Sequence, residues 1–148
     1  MSIFNTQVRQ MGYFGRNTVS TGNRNDLIIQ QGLGNVNRAN GNGGNDVFLM
    51  QGVGNKNIAN GGAGNDLFII RGAGNEQIAN GGAGNDTFRV AGNGNLVRID
   101  GGSGYDTLSL EGQGPWHNFG SNTSRLRLYY NPATRSFVSA KSIEQANR

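Results

Sequence analysis

Short apolar runs recur along this chain at a fixed interval of 20 residues: Leu27-Ile-Ile, Val47-Phe-Leu-Met, Leu67-Phe-Ile-Ile, Thr87-Phe-Arg-Val and Thr107-Leu-Ser-Leu. Each is three or four residues long and lies between segments rich in glycine and asparagine, which predicts a strand between turns rather than a helix. Side chains alternate across a strand, so Ile28, Phe48, Phe68, Phe88 and Leu108 form one column, and Gln30, Met50, Ile70, Val90 and Leu110 a parallel one. These columns are the expected core. Leu27, Ile29, Val47, Leu49, Leu67 and Ile69 then form apolar columns on the opposite face, which give way to Thr87, Arg89, Thr107 and Ser109. A sheet apolar on both faces is normally covered. The cover is expected from residues 1–20 or the C-terminal segment; the competing reading makes these six residues an association face for another chain.

Between these runs lies a second series, Gln31-Gly-Leu-Gly-Asn, Gln51-Gly-Val-Gly-Asn, Arg71-Gly-Ala-Gly-Asn and Ala91-Gly-Asn-Gly-Asn. The repeat is thus 20 residues made of two unlike halves of 10. Such a period is the signature of a solenoid, whose coils bury side chains only by stacking on one another. In this half either Ile58 and Ile78 point inward, carrying Arg38 and Arg98 with them, or Ala39, Ala59, Ala79 and Ile99 do. Burying unpaired guanidinium groups is costly, which favours the alanine column. Asn40, Asn60 and Asn80, and on the other edge Asn35, Asn55, Asn75 and Asn95, then recur where side-chain amides can hydrogen-bond along the stack.

The turns carry the candidate chemistry. Gly61-Gly-Ala-Gly-Asn-Asp-Leu-Phe and Gly81-Gly-Ala-Gly-Asn-Asp-Thr-Phe match the nonapeptide G-G-x-G-x-D-x-U-x. With these residues the chain resembles the hemolysin-type, or RTX, calcium-binding repeat family. The resemblance implies calcium held between neighbouring turns by Asp26, Asp46, Asp66, Asp86 and Asp106, with the carbonyls of Gly62, Gly64, Gly82, Gly84, Gly102 and Gly104 as further ligands. Oxygen donors of this kind suit a hard divalent cation. Two departures matter: Arg24 replaces a glycine in the first turn, and the alternate turns carry Val36, Lys56, Glu76 or Leu96 where the family has aspartate. Calcium is therefore expected on one edge only, with the other closed by Gly and Asn hydrogen bonds. Asn-Asp pairs also make good turns without metal. Gln-Gly-x-Gly-Asn-x-Asn at Gln31 and Gln51 is similar to curli-type fibre repeats, which implies a polymerising solenoid; the aspartate turns are foreign to that family.

Composition changes the picture little. With 26 glycines and 22 asparagines in 148 residues, bulk content alone would indicate low complexity, and the period overrules it. The net charge of +4 raises a polyanion as partner, but the 13 basic residues form no run and no aromatic interleaving marks a nucleic-acid platform. The expected partners are a second copy or an anionic polysaccharide. Arg71, Arg89, Arg98, Arg125 and Arg127 are the candidates for meeting uronate carboxylates if they share a face. No segment approaches 18 apolar residues and the first 20 lack a basic start followed by an apolar stretch. Neither membrane insertion nor a cleaved signal peptide is expected. The lone His117 sits in a Gly/Pro-rich loop and reads as packing or surface, so no enzyme activity is expected.

The sequence thus predicts an all-β roll or solenoid over residues 21–111, an N-terminal cap over 1–20 and a β-hairpin cap over 112–148. Its expected role is that of a secreted or cell-surface structural or adhesive protein.

Overall fold

The computed structural model describes residues 4–119 and 126–148. Its described residues form an all-β solenoid of about five turns, with coils of 20 residues. Each full coil holds a strand, a corner and a second strand, the second being the longer from β4 onward. The pairs are β1 (Thr6–Gln10) with β2 (Arg16–Ser20), β3 (Asp26–Gln30) with β4 (Val36–Gly43), and β5 (Val47–Met50) with β6 (Lys56–Ala63). They continue as β7 (Leu67–Ile70) with β8 (Glu76–Ala83), and β9 (Thr87–Val90) with β10 (Leu96–Ser103).

After β11 (Thr107–Leu110) come β12 (His117–Asn118), β13 (Arg127–Asn131), β14 (Ser136–Lys141) and β15 (Gln145–Asn147). The odd strands through β11, with β15, make a seven-stranded parallel sheet. The even strands β2 to β10 make a second parallel sheet, extended by β14 and then by the antiparallel β13 and β12.

Register is strict: residue n pairs with n+20 from Thr6↔Asp26 onward. Phe48, Phe68 and Phe88 therefore stack face to face with centroids 4.8 Å apart and planes 5° and 11° from parallel. Ile28 and Leu108 flank the three rings, with Val8 and Ala146 beyond them in register, and Met50, Ile70 and Val90 run beside; Ile28, Leu108, Met50, Ile70 and Val90 are fully buried. On the facing sheet Ala39, Ala59, Ala79 and Ile99 point inward, while Arg38 and Arg98 are exposed. Small alanines on one sheet face large phenylalanines on the other, so the core is thin.

Residues 1–20, expected as a separate cap, form from Thr6 onward one more coil. Thr6 stands where later coils have aspartate and Gly15 where they have asparagine, which hid the repeat, yet Tyr13 still bridges Leu33 in register. The C-terminal hairpin is present as β13 and β14.

Among the described residues nothing forms the expected cover over the outer apolar columns. β1 and β15 lie at the two edges of the same sheet and the hairpin extends the other one. Leu27, Ile29, Val47, Leu49, Leu67 and Ile69 thus face outward, half-buried by their own neighbours.

Candidate functional site

Asp26, Asp46, Asp66, Asp86 and Asp106 open the short strands and are 0–2% exposed. Strand alternation puts them on the same inward side as the phenylalanines. Each takes a backbone N–H from the preceding coil on Oδ1. Thr6 donates to Asp26 at 2.7 Å, and Asp26, Asp46, Asp66 and Asp86 each donate to the next aspartate at 2.8 Å. Glu144, just before β15, ends the ladder by accepting from the Asp106 N–H at 2.7 Å. The neighbouring asparagines run a second ladder of opposite polarity, in which Asn45, Asn65, Asn85 and Tyr105 donate back to Asn25, Asn45, Asn65 and Asn85. Every Asn-Asp turn is thereby tied to the coil on each side.

The second oxygen, Oδ2, has no hydrogen-bond partner in any of the five aspartates, although it is buried. In the last four it lies against the glycine five residues earlier: Gly41, Gly61, Gly81 or Gly101. A Cβ on any of these would overlap both that oxygen and a backbone carbonyl of the next layer, from Gly61, Gly81, Gly101 or Ser142. The carboxylate oxygen and that carbonyl therefore flank one spot.

Desolvation in this column pushes the carboxyl of Asp46 up to about 6, that of Asp66 to about 7 and that of Asp86 to about 6; Asp106 is raised as well. The accepted N–H works against the rise and the charges of neighbouring carboxylates add to it.

The opposite corner does the same structural job with amides. Asn35, Asn55 and Asn75 each donate a backbone N–H to Oδ1 of the next asparagine at 2.8, 2.9 and 3.1 Å, and Asn95 donates to Ser136 Oγ at 3.3 Å. Here the second atom is satisfied: Nδ2 of Asn55 donates to the carbonyls of Gly32 and Gln51, both at 3.0 Å. This edge is closed by glycine and asparagine, as the sequence led one to expect.

Do these residues fit calcium? In kind they do: uncommitted, buried carboxylate oxygens stand in a column beside main-chain carbonyls. The carbonyls that face them belong to Gly61, Gly81 and Gly101, the first glycines of their G-G-x-G-x-D units, whereas the second and third were the expected donors. Of the expected carbonyl donors, those of Gly62, Gly64, Gly82 and Gly84 lie against Gly82, Gly84, Gly102 and Gly104 of the next coil. Among the described residues no three His, Asp or Glu side chains gather into a metal-holding cluster, so two carboxylates per gap with carbonyls is the densest donor set available.

The arginines do not gather. Arg89 is exposed on the outer face of the seven-stranded sheet, Arg98 on that of the eight-stranded one, 3.7 Å from Glu76. Arg71 lines an open corner groove with Gln31 and Gln51. Arg127 donates to the Glu144 carbonyl at 3.4 Å, and Arg125 lies outside the described residues.

Fold and register define a β-solenoid repeat protein. Comparison with family models, with curated proteins and with solved structures returns no match, so the resemblance to RTX repeats rests on the turn sequences alone.

Proposed function

We propose that this protein is a non-catalytic structural or adhesive β-roll, stabilised by calcium along its aspartate edge and working outside the cell or on its surface. The observation that carries the reading is the column of five buried carboxylates, each with one oxygen lacking any partner. Ionised together they would repel across the coil spacing, and a buried acceptor without a donor is costly. Asp26, Asp46, Asp66, Asp86 and Asp106 would hold the ions, with carbonyls of the adjoining glycines. Calcium, when bound, supplies the positive charge that lets neighbouring carboxylates ionise. Extracellular calcium can occupy sites of modest affinity, and binding free energy then adds to folding free energy.

A second reading, a metal-free and fibre-forming solenoid, draws on the amide ladders. Asn60 donates to Asn40 and Asn80 to Asn60, both at 2.7 Å, and Gln51 donates to Gln31 at 2.7 Å. Such ladders hold stacked coils without an ion. The polysaccharide reading has less support, because its arginines stand on different faces.

Titrating calcium into the metal-stripped protein, with far-UV circular dichroism for folding and light scattering for size, separates these. A calcium-driven gain of β signal is expected. A β signal indifferent to both chelator and calcium would move the assignment to the metal-free solenoid.

A further inference from the structure

The outer face of the seven-stranded sheet carries an aliphatic patch with an arginine on either side of it. Its columns read Gln7, Leu27, Val47, Leu67, Thr87, Thr107 and Arg9, Ile29, Leu49, Ile69, Arg89, Ser109 in register. No outward position of this sheet carries Asp or Glu, because its five aspartates point inward. Arg71, exposed just past β7, adds a third positive charge at the rim, and the exposed acidic rim residues, Glu111 after β11 and Glu144 before β15, lie past the Arg89 end of the patch. The three ion pairs among the described residues, Lys56 with Glu76, Arg98 with Glu76 and Lys141 with Asp100, all lie on the other sheet. On the other face acidic residues stand among the basic ones, whereas the aliphatic patch of this face is flanked by positive charge alone.

We infer that this face adsorbs to an anionic lipid surface, with the Leu27 and Ile29 columns in the acyl boundary and Arg9 and Arg89 at the headgroups. Interfacial binding scales with the apolar area buried plus the attraction of basic groups to anionic lipid, and the face supplies both. A second copy fits poorly. Two identical faces meet about a two-fold axis lying between them; an axis along β5 sets Arg9 against Arg89, and one along the stack sets each arginine against its own counterpart. Both juxtapose like charges in a low-dielectric contact. A glycan fits poorly as well, since the face holds no aromatic ring on which a sugar could stack.

The test is co-sedimentation of the full chain with phosphatidylcholine vesicles, with and without phosphatidylserine, in calcium, where the roll is folded whichever way the aspartate edge works. Retention only by the phosphatidylserine vesicles is expected. Arg9→Gln and Arg89→Gln should each weaken it about fivefold. Leu67→Thr with Ile69→Ser, which copies residues the same columns already hold at 107 and 109, should abolish it while circular dichroism stays unchanged. Equal retention by neutral vesicles, or retention untouched by the arginine changes, overturns the inference; the latter marks calcium bridging. A concentration-dependent dimer lost in the Leu67/Ile69 variant, without vesicle binding, overturns it in favour of a second copy. The calcium titration reads folding, so it fails or succeeds independently of these outcomes.

Discussion

Asn55 and Asp66 occupy equivalent corners, and the difference between them is one atom. Both accept a backbone N–H from the coil before, Asn55 from Asn35 and Asp66 from Asp46, but Asn55 spends its second atom on two carbonyls while Asp66 leaves Oδ2 without a donor. Replacing Asp66→Asn keeps the acceptor and puts a donor beside the carbonyl of Gly81, so in metal-free protein at mildly alkaline pH it should raise stability by about 1–3 kcal/mol. Denaturant midpoints read the effect. In calcium the same change should lower stability, because it removes a carboxylate from two gaps at once. The aspartate column was legible in the sequence as five residues in one register. Its surroundings were not, because the motif holds three glycines alike and does not say that the first, rather than the second and third, faces the carboxylate. Gly41, Gly61, Gly81 and Gly101 sit inside strands, and only the packed structure shows that each keeps clear the space beside a carboxylate.

At the scale of elements, the eight-residue strands β4, β6, β8 and β10 are longer than the apolar pattern indicates, since they run on through the glycine pairs. The alternation of apolar and polar residues sets faces and register but carries no signal where a strand continues through glycine. Inside the eight-stranded sheet a buried amide ladder passes from Asn17 to Asn37 at 2.7 Å and from Asn37 to Asn57 at 2.8 Å. It stops at Gln77, whose amide is one methylene longer; neither its oxygen nor its nitrogen finds a partner, and Asn57 Nδ2 is left without one. Gln77→Asn should extend the ladder by a coil and raise stability by about 1 kcal/mol, net of the lost methylene. Thermal denaturation of the pair of proteins under one buffer checks this, and a loss of stability would mean that filling the core outweighs the amide bond. The C-terminal segment works by the same logic. Ser136 and Glu144 supply the acceptors that the asparagine and aspartate corners would otherwise lack at their last coil. A hairpin was readable from Arg135 to Ala140 and the turn before it, whereas the return of β15 to the other sheet depends on Glu144 meeting Asp106, which no local pattern announces.

For the molecule as a whole, the two edges make opposite demands on solution conditions. The asparagine edge is neutral at every pH. The aspartate edge binds protons more tightly folded than unfolded, since burial lifts its carboxyls from 3.8 to about 6 for Asp46 and Asp86 and about 7 for Asp66. A raised carboxyl contributes stability that is complete below its unfolded value and disappears as pH climbs through its folded one. Metal-free protein should therefore melt at its highest temperature near pH 4 and lose stability steadily up to about pH 7, with little further change from these groups beyond. Calcium reverses the sign. It binds the ionised carboxylates, so in saturating calcium stability should rise across that same interval as protons leave and ions enter. Melting temperatures measured across the window, with chelator and with calcium, give two curves that cross if the column is a cation edge. Two curves that fall together would mean that the aspartates serve the roll as protonated or hydrogen-bonded stacking residues. Five aligned aspartates would then have the same standing as the asparagines across the coil, a ladder that holds the solenoid together without an ion.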